Sequence, residues 1–280
     1  NLGGPKRHGC SAGRKQKRPA PHGRFGRDAI QLEAAVMNLT GGIAWHWLAW
    51  RSEARWAPTS QALEKWLMSH AQVFKPGHVQ GQPSLLLIGA SAGWMMSSQW
   101  LQQFARVDTY DIDPFAATLF KWRHGKALQA THTELQCHTR DALQDLPGLL
   151  SAHPKACVFF DNVLGQLRFN SSDILLVEKN IARIVKTLKG REWGSVHDRM
   201  SGPVSGAMPL SPELEGRWPQ ALGHLDNEEA QKWLNSLQAQ SPWLDHLTGH
   251  VFSKETPVYN LAWKFKPDYW HWLQAGWVKP

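Results

Sequence analysis

Residues 84 to 98 read SLLLIGASAGWMMSS, an apolar run that opens into Gly89-Ala90-Ser91-Ala92-Gly93. The spacing supports two chemistries. In one, Ser91 is the nucleophile of a G-x-S-x-G elbow, a strained strand-to-helix turn that exposes a hydroxyl for acyl transfer. In the other, the glycines let a nucleotide-like cofactor approach the backbone at a helix start, and Ser91 is only a small residue of the cradle. Further polar residues stand at the ends of the apolar runs that follow: Asp111 after VDTY, Asp141 after LQCHTR, and Asp161-Asn162 after KACVFF. A carboxylate at the position of Asp111, 22 residues past Gly89, is placed to accept hydrogen bonds from both ribose hydroxyls of an adenosine. His197 or Asp198, with Asp161, could take a proton from an acceptor.

The elements that must hold these residues are read from periodicity. From Pro83 onward strands and helices alternate, which implies a parallel, doubly wound sheet with its ligand crevice beyond the C-terminal strand ends. The expected strands are SLLLIG, VDTYD, LQCHTRD, KACVFFDN and EWGSVHD. The expected helices run from about Trp94 to Ala105, over PFAATLFKWRHGKALQ, from Ala142, and over SSDILLVEKNIARIVKTL. A long loop is expected from Arg199 to Asp226, of a length that suits a lid. The helix NEEAQKWLNSLQAQ follows, and then HLTGHVFSK and PVYNLAWKFKP as an antiparallel hairpin. Ahead of the sheet the pattern is helical: DAIQLEAAVMNL, a break at Gly41-Gly42, IAWHWLAWRSEARW, and a new helix capped at Pro58-Thr59-Ser60.

That helical leader bears on Ser91. A nucleophile elbow normally follows several strands and an upstream oxyanion-hole turn, and none is present before Gly89. A triad order can be drawn from Asp161 or Asp198 with His224, His246 or His250, but 14 histidines make some such order easy to find. A nicotinamide fingerprint would have its third glycine where Trp94 stands. Four successive strand ends carrying polar groups favour the cofactor cradle. A serine hydrolase and a non-catalytic or nucleic-acid-binding module stay open as alternatives.

With LLLIGASAG, VDTYDIDP, HTRDAL and ACVFFDNVLGQL in this order, residues 84 to about 265 resemble the class I S-adenosylmethionine-dependent methyltransferases. The resemblance implies an α/β fold with a doubly wound, mostly parallel seven-stranded sheet, a C-terminal antiparallel hairpin and an N-terminal helical extension. It implies S-adenosyl-L-methionine as cofactor. Gly89, Ser91 and Gly93 would line its methionine and ribose side, and Asp111 would hold the ribose. Ile112 would pack on adenine, and Asp141 would contact the adenine amine. Asp161 and Asn162 would face the methionine end, with Asp161 and His197 as catalytic candidates. Leu87 stands where the family often has an acidic residue, and Ser91 takes the place of its middle glycine.

Charge and composition divide the chain into a basic tail (1–27), a helical cap (28–80) and the α/β domain (81–280). The net charge of +8 resides in the tail, whose eight Lys and Arg residues face no acidic ones; the other 23 basic residues match 23 acidic ones. Gly and Pro enrichment predicts disorder there, and the charge suits an RNA, DNA or other anionic partner. The 16 tryptophans are expected mainly in packing, although such rings could also wall a small apolar or aromatic acceptor, the preferred substrate class. Three cysteines without metal-ligand spacing, no apolar run of about 18 residues and no signal-type leader predict a cytoplasmic protein. His246 and His250 are expected four apart on one strand, too far from each other to share a metal ion, so no metal site is predicted.

Overall fold

The computed structural model describes residues 42–71, 83–205, 227–236, 239–240 and 242–280. The basic tail, the DAIQLEAAVMNL run, His224 and residues 206–226 of the expected lid lie outside the described residues.

Seven strands form the main sheet: β1 (Ser84–Ile88), β2 (Arg106–Asp111), β3 (Glu134–Thr139), β4 (Cys157–Asp161), β5 (Trp193–Pro203), β7 (Val258–Lys266) and β8 (Tyr269–Val278). A two-residue strand, β6 (Leu244–Asp245), pairs with the end of β5. The order is β3-β2-β1-β4-β5-β8-β7; the first five strands are parallel, and β8 runs antiparallel to both neighbours. This is the expected mostly parallel sheet with a reversed C-terminal hairpin.

The central strands are apolar on both faces because both faces are covered. Leu85, Leu87 and Phe159 pack on one side with Trp100, Phe104 and Phe120, under helix α1 (Ile43–Ala71), which contributes Trp56, Leu63 and Leu67. Leu86, Ile88, Val158 and Phe160 pack on the other, against α4 (Leu146–Ala152) and α6 (Ile174–Thr187). Between these helices in the chain lie α2 (Ser98–Leu101), α3 (Ala116–Ala130) and α5 (Val163–Gln166), and α7 (Asn227–Ser236) precedes β6. Among the described residues no helix is long and apolar enough to cross a membrane.

Expectations of four kinds need correction. First, α1 does not end at Pro58. It runs through the proline, whose cost to a helix interior is about 3 kcal/mol, because residues on both sides are tied to β7. Arg55 and the Trp56 indole donate to the Phe265 carbonyl at 3.0 and 3.2 Å, and Thr59 donates to the Ala262 carbonyl at 2.7 Å. Second, the helix expected from Trp94 shrinks to four residues, because turns consume Gly93 to Ser97 before the Ser97 hydroxyl caps the first turn. In the same way the helix expected from Ala142 begins at Leu146, capped by Asp145.

Third, the start of the expected loop, Arg199 to Pro203, is strand. It continues β5 because β8 and β6 pair with it. Fourth, the closing hairpin lies one run later than expected: β7 and β8 flank Pro267-Asp268, and HLTGHVFSK forms turns. His246 and His250 therefore do not share a strand face.

Candidate functional site

The glycine turn sits where β1, β2 and β4 end together. The Gly89 amide donates to the Tyr110 carbonyl at 2.8 Å, and φ of Gly89 is +75°. A Cβ there would overlap Val163 and come within 2.9 Å of the Asp161 carbonyl oxygen. Glycine is thus required by both backbone angle and close approach. Two non-glycine residues beside it are also left-handed, Ser91 at φ 46° and Asn162 at φ 57°. Such angles in side-chain-bearing residues concentrate where a fold holds a binding geometry.

Asp111 ties the turn together. One carboxylate oxygen accepts from the Ser91 amide at 2.7 Å, the other from the Asp113 amide at 2.8 Å. Burial raises its pKa above the ordinary value, while these backbone donors oppose the rise. Asp161, at the end of β4, is pushed up to about 7 by burial and, secondarily, by the charge of Asp111. The turn therefore brings two like charges into each other's field.

A roof lies over this cradle. The Trp45 indole donates to the Ser91 hydroxyl at 3.1 Å. Asp113, buried beside it, accepts from the Gly42 amide at 2.8 Å and stands 3.1 Å from His46 Nε2. A carboxylate at that helix N-terminus is also favoured by the helix dipole. His46 Nδ1 accepts from the Trp94 indole at 3.1 Å, which assigns the ring proton to Nε2, facing Asp113. Sequence reasoning missed Asp113, Trp45 and His46; the DIDP motif contains the aspartate, but its partners lie about 70 positions away.

The remaining candidates separate. Asn162 adjoins the cradle but turns its side chain to β5: Nδ2 donates to Asp198 at 2.8 Å, and Oδ1 accepts from the Asp198 amide at 2.9 Å. Ile112 is 72 % exposed on the rim. Asp141 is exposed, and its carboxylate accepts from the Leu143 amide at 2.9 Å, within its own loop. Gly93 is glycine for packing, since a Cβ would strike His124 and Phe120. His197 is not brought to the cradle. Its ring is fully buried, stacks on Phe252 and hydrogen-bonds Ser195 at 3.0 Å. Burial, helped by the charge of Arg199, lowers its pKa to about 3. Among the described residues no histidine hydrogen-bonds Ser91, whose hydroxyl oxygen instead accepts from Trp45.

A cavity of about 220 Å³ lies between α1 and the segment after the glycine turn, lined by Ala49, Glu53, Trp56, Trp94, Met95 and Arg123 among others. It borders the cradle's roof but contains none of the candidate residues, and it is smaller than a typical cofactor pocket.

A mostly parallel sheet closed by a reversed hairpin is the fold expected from the motifs, here in the order 3-2-1-4-5 for its parallel strands. The chain resembles the class I S-adenosylmethionine-dependent methyltransferases. No family model and no curated protein matches it. Among solved structures it is similar to the N-methyltransferase NodS from Bradyrhizobium japonicum WM9 at 13% identity, covering 80% of this chain and 98% of that one with a TM-score of 0.39. It is also similar to the magnesium protoporphyrin IX methyltransferase from Synechocystis PCC 6803, determined with bound S-adenosylhomocysteine. That match has 12% identity, coverage of 87% and 99%, and a TM-score of 0.44.

Proposed function

We infer that the chain is an S-adenosylmethionine-dependent methyltransferase whose cofactor occupies the cradle of Gly89, Ser91, Asp111 and Asp161. The observation that carries this reading is the pairing of Asp111 and Asp161 across the glycine turn. Two carboxylates in each other's field suit a ligand that offers hydroxyl donors to one and positive charge to the other. S-adenosylmethionine has both, a ribose diol and a sulfonium with an α-ammonium group. The exposed rim at Ile112 suits the approach of such a ligand.

When bound, the cofactor supplies an electrophilic methyl group. The chain's part is to hold and orient it: Asp111 accepts from the ribose hydroxyls, and Asp161 faces the cationic end. Ile112 is the candidate to cover adenine, and Asp141 the candidate partner of the adenine amine. Asn162 fixes the backbone beside Asp161. The Trp45 roof excludes water, which matters because methyl transfer gains chiefly from positioning and desolvation. Asp161, with a pKa near neutrality, is the candidate base where the acceptor must lose a proton. His197, buried behind β5, is left out of that role. A small or aromatic acceptor is the preferred class, and half-exposed Trp47 and Trp50 on α1 offer rings to pack on it.

Calorimetric titration of the full chain with S-adenosylmethionine and S-adenosylhomocysteine tests the reading. Saturable one-to-one binding is expected, weakened at least tenfold in Asp111→Ala. Absence of binding to both ligands by folded protein would overturn it.

A further inference from the structure

A second polar cluster lies on the far side of Asn162, and the cofactor reading leaves it without a task. β5 carries an irregularity between Asp198 and Met200. On a regular strand Asp198 and Ser201 would face opposite sides, but here both turn to one cluster, Asp198 to His271 and Ser201 to His246. Asp198 Oδ1 stands 2.8 Å from His271 Nδ1, and the Ser201 hydroxyl 2.8 Å from His246 Nε2. Asp198, His246 and His271 are each less than a tenth exposed, and one ligand-type atom from each lies within 4.8 Å of the others.

The surroundings orient these groups as a metal's outer shell does. His246 Nδ1 is 3.0 Å from the Gly165 carbonyl, which accepts only, so the ring proton is on Nδ1 and the Nε2 lone pair faces the cluster. Asn162 Nδ2 holds the other oxygen of Asp198 at 2.8 Å, leaving Oδ1 for the cluster. Trp263 and Phe265 flank His271, and Phe169 flanks His246, so the groups lie in an apolar shell.

We propose that Asp198, His246 and His271 form a binding site for one divalent first-row transition ion, with zinc as the natural occupant and the Ser201 hydroxyl or a water as fourth ligand. Two imidazoles and a carboxylate are a donor set for such ions rather than for calcium or magnesium. Bonds of about 2.0–2.2 Å require ligand atoms roughly 3.3 Å apart, so the 2.8 Å Asp198–His271 pair gives up its hydrogen bond and opens slightly, with the His271 proton moving to Nε2 or leaving, while the wider spread to His246 closes. Asp198 and His271 are fixed by paired strands. The contraction therefore falls on His246 and its turn, which the ion clips to the sheet.

The test uses the full chain stripped of metal, titrated with zinc and with cobalt(II) as a spectroscopic probe. One equivalent should bind, give visible cobalt bands and raise the melting temperature. His246→Gln and Asp198→Asn should each weaken binding by at least about 100-fold, and Asn162→Ala by about 10- to 100-fold. His250→Ala, altered in the same turn but outside the cluster, should bind like the parent. X-ray absorption on the unaltered zinc-loaded chain should report two imidazole nitrogens and only light-atom ligands besides, which keeps the test valid if a variant fails to fold. No stoichiometric binding, a sulfur ligand, or affinity that survives His246→Gln would overturn the proposal.

Discussion

Asp161 ends β4 and Asp198 lies midway along the neighbouring parallel strand β5, yet their surroundings push them in opposite directions. Asp161 faces another carboxylate and rises to about 7; Asp198 faces imidazoles and falls to about 2, with His271 the largest favourable influence against burial. Asp198 is the more buried of the two and yet is the one that falls, so burial alone does not separate them and the difference lies in what each carboxylate meets. One site awaits positive charge, and the other already has partners capable of carrying it.

The largest expected effect comes from removing the satisfied group. Asp198→Ala should destabilise the fold by about 3–5 kcal/mol at pH 7, as loss of one member of a buried polar pair does. Equal loss in Asp161→Ala, measured by urea unfolding, would erase the contrast. Next is the unsatisfied group. A carboxyl raised on folding lowers stability as pH climbs from its ordinary value through about 7. Asp161→Asn should therefore gain up to about 4 kcal/mol at pH 8, and well under about 1 kcal/mol at pH 4, where the carboxyl is protonated in the native chain.

Asp198 has the opposite sign. Its contribution is present above the ordinary carboxylate value and is lost as pH falls towards about 2, so Asp198→Asn should flatten that acid limb. Buried His197 adds a separate loss at higher pH, because the unfolded chain takes up a proton below about 6.5 that the native ring accepts only near 3. His197→Gln should ease the decline between pH 6.5 and 4, measured by melting temperature. The smallest effect is expected at the roof. Trp45→Phe, which removes the indole donor to Ser91, should cost about 1 kcal/mol and weaken cofactor affinity without altering the acid limb.

The two sites also differ in how well they are read from sequence. In a βαβ unit the strand end follows directly from the apolar run, so Gly89, Asp111 and Asp161 can be placed in one crevice without knowing any long-range contact. Asp198 and His271 meet through antiparallel register between β5 and β8, and through an irregularity that no local pattern announces. The run YWHWLQAGWV looks like tryptophan-rich packing because β8 is covered on both sides and has no clean polar alternation. Pro58 misleads for the same reason: the bonds that carry α1 past it come from β7, some 200 residues later. Local chemistry was legible where the fold is local, and hidden where pairing is remote.

The most direct measurement of the central claim is the proton balance of cofactor binding. S-adenosylmethionine is titrated calorimetrically at pH 7 in two buffers of different ionisation enthalpy. If its cationic end settles against Asp161, binding should release about half a proton, since a carboxyl titrating near 7 is driven to its ionised form. Asp161→Asn should still bind and release none. Absence of binding by the unaltered chain, or binding with no proton released, would contradict a cradle built on the Asp111–Asp161 pair.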